Sequence, residues 1–348
     1  VKQLFVGLAL CLAAVSAKAA VILQYHHVAD DTPRSTSLTV EAFEQQMQYL
    51  KDRNFQVIAL SELVAAIQQG KALAENTVVI TFDDGYQNNF DNARPILRQH
   101  GFPYTVFVAA EPIHQKQRPM MSWQTLKQMA DEGAEIANHS WSHNHLVHRR
   151  TDETHSQWLA RIQGDLQKAE RDIEKYTGQS WKTLAYPFGE FDADLKNLLK
   201  QMGYVGIGQH SGAVGLTSDL QALPRFPMAD AFADMDSFKL KVSSRAFEIE
   251  SVTPENPVLA HEDSRPVLTV TLNTKDINKN GLMCFVQGQG AKAPTWVSDN
   301  QFTVKADQPL SIGRSRYNCT APSLSSKGYY WFSQPWLRAK ADGSFPKG

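Results

Sequence analysis

This sequence has almost no net charge, only three cysteines, and no apolar run long enough to span a membrane beyond its first twenty residues. Its 35 Lys and Arg face 36 Asp and Glu, a formal charge of −1. No long Lys/Arg run offsets that balance, so the basic face a nucleic-acid binder needs is missing. A dinucleotide-type glycine fingerprint, internal repeats and low-complexity segments are also lacking. Global disorder is excluded, because 42% hydrophobic and 20% charged residues are enough to bury a core. At about 100–200 residues per domain, the 348 residues are expected to form two or three domains.

The start of the chain reads as an export signal. Lys2 is followed by an apolar run from Leu4 to Val15, then by Ala17-Lys18-Ala19 with small residues where a signal peptidase reads. The run is shorter than the roughly 20 residues a membrane span needs. Cleavage after Ala19 would remove Lys2, Lys18 and Cys11 and shift the charge to −3. The remainder is expected to have no membrane span and to be exported, periplasmic or secreted. Cys284 and Cys319 would then lie in a compartment that permits a disulfide. Such a bridge is worth ~3–4 kcal/mol by loop entropy.

From residue 20 to 238, short apolar runs alternate with helical patterns. Expected strands include Val21–Tyr25, Thr77–Phe82, Tyr104–Ala109, Ala134–Asn138, Lys182–Tyr186 and Tyr204–Gly208. Thr39, Ser61 and Ser122 are candidate helix caps. Alternation of this kind implies a mostly parallel sheet, and about seven such units suit an irregular (β/α) barrel. An open doubly wound sheet is the alternative. From 239 to 348 helical periodicity fades. Short strands such as Val267–Leu272, Leu282–Gln287, Gln301–Val304 and Tyr329–Phe332 are separated by Asn, Gly, Pro and Ser. That pattern reads as an α/β barrel followed by a β-sandwich, immunoglobulin-like in size.

Chemistry-bearing residues fall at the predicted strand ends. Thr81-Phe82-Asp83-Asp84-Gly85 closes a buried strand with adjacent carboxylates, which point in different directions. One can bind a metal while the other faces a reacting water. In Asn138-His139-Ser140-Trp141-Ser142-His143, two histidines at i and i+4 would share one side of a helical turn, and neutral imidazole is a common zinc ligand. His145 and His148 are close enough to stand in for either. Ala185-Tyr186-Pro187-Phe188-Gly189 forms a tight turn able to present a backbone N–H to a developing oxyanion. His26, after Tyr25, sits where a general acid would meet the others.

Together these stretches resemble carbohydrate esterase family 4, the NodB-homology polysaccharide deacetylases, over roughly residues 21–230. Thr81–Gly85 and His139–His143 match that family's two metal-site motifs. The resemblance implies a metal held by Asp84, His139 and His143, with Asp83 as catalytic base. The arginine that usually opens the family's third motif is Ala185 here, and no Leu precedes His210 by two places. Both departures resemble the circularly permuted branch typified by poly-β-1,6-N-acetylglucosamine deacetylases, which implies His26 as the acid. Arg225, in Leu223-Pro224-Arg225-Phe226-Pro227, is expected to replace the missing arginine and orient Asp83. Tyr186 and Phe188 are the expected substrate contacts, with the Phe188 N–H on the oxyanion.

The expected reaction is hydrolysis of N-acetyl groups on an extracytoplasmic amino-sugar polysaccharide, with one divalent metal, zinc first and cobalt or nickel also suited. Chitin oligomers, peptidoglycan or an O-acetylated glycan would use the same chemistry. A non-catalytic carbohydrate-binding protein is the alternative from another class. In the last third, Trp296, Tyr329, Tyr330, Trp331 and Trp336 are read as packing rather than a sugar platform. Arg314 and Arg316 are read as facing an acidic polymer or solvent.

Overall fold

The structure is a computed structural model that describes residues 19–74 and 76–346. The expected signal segment lies outside the described residues apart from Ala19. Seven strands lie side by side and parallel, in the order Phe226–Pro227, Ala20–Tyr25, Thr77–Phe82, Thr105–Val108, Glu135–Asn138, Thr183–Ala185, Val205–Ile207. Gln56–Val57 pairs with the third of these off the main path. At the far edge Leu223 bridges in parallel to Ile207, only three residues before Phe226 meets Leu23 on the first strand. Segment 223–227 thus spans from the last strand back to the first, and the sheet curls into an incomplete α/β barrel.

The central strands are buried along their whole length. This is why they read as continuous apolar runs rather than alternating ones. Helices cover them from outside. Val40–Asp52 is capped by Thr39, whose Oγ1 accepts from the Ala42 N–H, and Trp123–Asp131 is capped by Ser122 in the same way. Leu60–Gln68 starts two residues earlier than expected, with Ala59 at the cap, so Ser61 lies inside the helix and does not cap it. The long helix His155–Thr177 opens with a capping box of Thr154 and Gln157 and stops at Gly178. A helix not foreseen, Met235–Val242, buries Phe238 and Val242 in the barrel core. The boundary expected at 238/239 falls inside it, so the barrel runs to about Val242.

The last third is two sheets around one core. One sheet has the order Ile249–Thr253, Val267–Leu272, Gln301–Lys305, Thr295–Trp296. The other runs Val258–Leu259, Tyr329–Arg338, Gly313–Pro322, Met283–Val286, Gly290–Lys292. Leu268, Val270 and Phe302 from the first meet Cys284, Tyr317 and Trp336 from the second. Cys284 and Cys319 are bonded, and they are facing partners on neighbouring strands of one sheet. The bridge therefore staples two adjacent strands, unlike the inter-sheet bridge of antibody domains. Leu337 leaves this core and is buried against Tyr186 and Phe191 of the barrel, while Trp331 meets Phe226 edge-on at 5.1 Å.

Candidate active site

Strand register builds the site. Tyr25 pairs with Phe82 and Val108 with Asn138. The next residues, His26, Asp83 and His139, therefore emerge together at the C-terminal rim, where parallel barrels place their chemistry. The Asp83 N–H donates to Tyr25 O at 2.9 Å and the His139 N–H to Val108 O at 3.0 Å, so each is still tied to the sheet. Asp84 then turns away with φ 72°, which points its carboxylate in a different direction from that of Asp83. Gly85 follows at φ 85°, and a Cβ there would sit 3.1 Å from Val108 Cγ1. The glycine of this motif is thus required by both conformation and space.

Asp83 is completely buried and clamped. Arg225, also fully buried, donates from Nη1 to Oδ1 and from Nη2 to Oδ2, both at 2.7 Å. Two further guanidinium hydrogens reach Thr81 Oγ1 at 3.1 Å, from Nη1, and Gly208 O at 2.9 Å, from Nε. A planar fork on a planar carboxylate fixes the aspartate in two dimensions. Burial pushes the Asp83 pKa up, but Arg225, with His139 and His26, outweighs it and holds the group at about 2. Asp83 is therefore ionised at neutral pH. His26 Nε2 lies 3.9 Å from Asp83 Oδ2. Burial lowers its pKa against the opposing pull of Asp83 and Asp84.

Asp84, His139 and His143 come together on the other side of Asp83. His139 Nε2 is 3.3 Å and His143 Nε2 3.1 Å from the same oxygen, Asp84 Oδ1. That oxygen is buried and has no hydrogen-bond partner. His139 Nδ1 is 2.7 Å from Ala185 O, which turns Nε2 toward the cluster. One unpaired carboxylate oxygen and two imidazole nitrogens converging on it fit a divalent cation with open positions left over. Burial penalises a proton on His139, yet Asp84 and Asp83 raise its pKa overall, so cation and proton compete there.

Several expectations need correction. His139 and His143 do not share a helical turn. Segment 140–148 is irregular, with Ser140 at φ 65° and His143 at φ 51°. The His143 N–H is held by Ser140 Oγ at 2.8 Å. Tyr186 does not face a substrate: it is fully buried, its hydroxyl donates to Gln221 O and its N–H to Ile207 O. Phe188 is at the rim, with φ 60°, and its ring meets His143 edge-on at 4.9 Å. His145 and His148 do not replace a ligand of the first cluster but gather around Glu190. Neither acidic polymer nor open solvent alone accounts for Arg314, whose Nη1 donates to Phe188 O at 3.0 Å.

Sequence reasoning missed Gln24, whose Nε2 donates to Asp83 Oδ2 at 2.7 Å. The signal was available. Gln24 is the polar break in the apolar strand Ala20–Tyr25, and it stands two places before His26, on the same face.

An ionised, arginine-clamped aspartate beside a cation-ready Asp/His/His cluster on an α/β barrel suits hydrolytic chemistry. Residues 70–207 match the family model described as Polysaccharide deacetylase. That stretch is a polysaccharide deacetylase domain of the NodB type, and the relatives indicate a deacetylase hydrolase. The chain is 26% identical over 205 residues, 59% of this chain and 69% of the other, to a "Putative polysaccharide deacetylase YxkH" of Bacillus subtilis (strain 168). It is 28% identical over 208 residues, 57% and 69% of the two chains, to the "Poly-beta-1,6-N-acetyl-D-glucosamine N-deacetylase" of Staphylococcus aureus (strain N315). The fold is similar to Streptococcus pyogenes deacetylase PplD, with TM-score 0.58 and 19% identity over 65% of this chain and 99% of that one. It is also similar to IcaB from Ammonifex degensii, with TM-score 0.57 and 19% identity over 65% and 98%.

Proposed function

We propose that the protein hydrolyses N-acetyl groups from an amino-sugar polysaccharide of the poly-N-acetylglucosamine type, with one divalent metal, outside the cytoplasm. The observation that carries this reading is the pairing of two differently prepared carboxylates on adjacent residues. Asp83 is locked by Arg225, while Asp84 has an unpaired oxygen faced by His139 and His143. The likeness to a poly-N-acetylglucosamine deacetylase supports the substrate class. The expected signal and the Cys284–Cys319 bridge support export to the periplasm or beyond.

Asp84, His139 and His143 would hold the cation, with zinc best matched to this donor set and cobalt or nickel also accepted. Bound there, a cation polarises the acetyl carbonyl and acidifies water. Asp83, ionised and aimed by Arg225 and Gln24, accepts the proton as water oxygen bonds to the acetyl carbon. The Phe188 N–H has no acceptor among the described residues and is free to donate to the oxyanion. His26 protonates the departing nitrogen as the C–N bond breaks, leaving acetate and a free amine. The C-terminal sheets form an immunoglobulin-like sandwich in this reading, which their size and two-sheet architecture support.

The test is acetate release from a panel of β-1,6-linked N-acetylglucosamine oligomers, chitin oligomers, peptidoglycan fragments and acetylated xylan. The β-1,6 oligomers are expected to react best. Asp83→Asn should keep its metal and lose on the order of 10³-fold in kcat. Release from none of the panel, or full activity in Asp83→Asn, would overturn the reading.

A further inference from the structure

The turn that carries Phe188 is held in an unfavourable shape. A bulky residue at φ 60° and ψ 2° sits in the left-handed region, which is unfavourable for such a side chain unless neighbours enforce it. Gly189 follows at φ 70° and is pressed against Gln209, where a Cβ would fall 2.6 Å from Gln209 Cβ. Within the barrel the Phe188 ring meets His143 and His145, and a further restraint on the turn comes from the last third of the chain.

Arg314 stands on the strand Gly313–Pro322, opposite Leu337, which is the residue buried against the barrel. Its Nη1 donates to Phe188 O at 3.0 Å, and its guanidinium carbon lies 5.7 Å from the centre of the Phe188 ring. Its Nε lies 3.6 Å from Glu190 Oε1. Glu190 is buried, and its other oxygen, Oε2, is 2.7 Å from His145 Nδ1. The His145 ring then stacks on Phe188 at 3.8 Å and 7°. His148 stacks on His145 at 4.3 Å and 5°, and Phe345, near the end of the chain, stacks on His148 at 5.2 Å and 10°. Phe188 is thus gripped through its carbonyl by Arg314 and through its ring by a column of parallel rings that ends on Phe345.

We infer that the C-terminal sheet domain is a positioning part of the active site, and that Arg314 is the residue through which it acts. Arg314 and Glu190 hold the Phe188 carbonyl and the His145 ring in place. The Phe188 N–H is thereby aimed at the oxyanion position rather than left to relax with the turn. The domain completes the catalytic rim instead of serving only as a tethered glycan binder. This inference rests on the Phe188 N–H being the oxyanion donor.

The experiment uses the full chain and a short soluble N-acetylated glucosamine oligomer, too small to depend on a remote binding surface. Arg314→Ala is expected to lower kcat about 10-fold or more, with KM within about 2-fold and metal content and Tm unchanged. Arg314→Lys should recover only part of the loss, because one ammonium cannot serve the carbonyl and Glu190 together. Added guanidinium at millimolar concentration should restore part of the Arg314→Ala activity. It has room in the cavity of about 220 Å³ lined by Phe188, Glu190, Gln209 and Arg316. Wild-type kcat in Arg314→Ala, or a loss confined to KM or matched by a fall in Tm, would overturn the inference. An inactive wild-type protein would instead overturn the deacetylase reading itself, so the two failures are distinguishable.

Discussion

Two clusters of the same residue types lie a few residues apart and differ in what they are able to do. Asp84, His139 and His143 form one; Glu190, His145 and His148 form the other, and each has one carboxylate and two imidazoles within ligand reach. In the first, the rings stand 62° apart and both Nε2 atoms face one unpaired carboxylate oxygen. In the second, the rings are parallel to within 5°, and the Glu190 carboxylate is already engaged by His145 and Arg314. A ring nitrogen donates its lone pair in the plane of the ring. Two stacked rings therefore do not aim at one point, whereas two tilted rings do. Composition makes the clusters alike; ring orientation and the unpaired oxygen fit the first to a cation and the second to bracing Phe188.

The sharpest way to break this contrast is to remove one imidazole from each cluster and count metal. His139→Ala should lose the metal and reduce acetate release to background. His145→Ala should retain one metal per chain and lose only about 10-fold in kcat, through the Phe188 turn. Two metals in the wild-type protein, with one lost in His145→Ala, would erase the distinction. The metal content is read by elemental analysis of dialysed protein.

A smaller effect concerns the charge state of Asp83. Its pKa falls from an ordinary 3.8 to about 2 on folding, because Arg225 overcomes the cost of burial. A depressed carboxylate stabilises the fold above its unfolded pKa, and that contribution disappears as pH falls through the folded one. Stability should therefore drop between pH 4 and 2 by on the order of 2 kcal/mol from this group. Chemical denaturation at stepped pH should show that component in the wild-type protein. It should be missing in Asp83→Asn, which starts from lower stability because Arg225 is left buried without its anionic partner. An unchanged acid profile in the variant would mean that the pair does not titrate with unfolding.

Much of the rim was legible because strand ends are marked in sequence. A buried run ending in Thr81–Gly85 and another ending at Asn138-His139 declare both the barrel and the acids and imidazoles on it. Arg225 was reachable because a missing charge at Ala185 demanded a substitute, and the structure places its guanidinium on Asp83. The turn geometry was not legible. Spacing of i and i+4 fits a helix, but the Ser140 hydroxyl holds the His143 N–H, and positive φ values replace the helical turn. Tyr186 was misplaced because its motif lies on the rim while its own side chain points into the core. The contact of Arg314 with the rim was not legible, since nothing local in Gly313–Tyr317 records that Leu337, its strand partner, docks on the barrel. Long-range pairing decides such contacts, and a single sequence does not encode it in any short pattern.

The central claim is that the Asp84–His139–His143 cluster makes the rim a metal-dependent N-deacetylase. Its most direct test is acetate released from a β-1,6-linked N-acetylglucosamine oligomer by protein stripped with chelator and then reloaded with zinc in steps. The account predicts no release from stripped protein and full recovery at one zinc per chain. Undiminished release from protein shown by elemental analysis to hold no metal would contradict it.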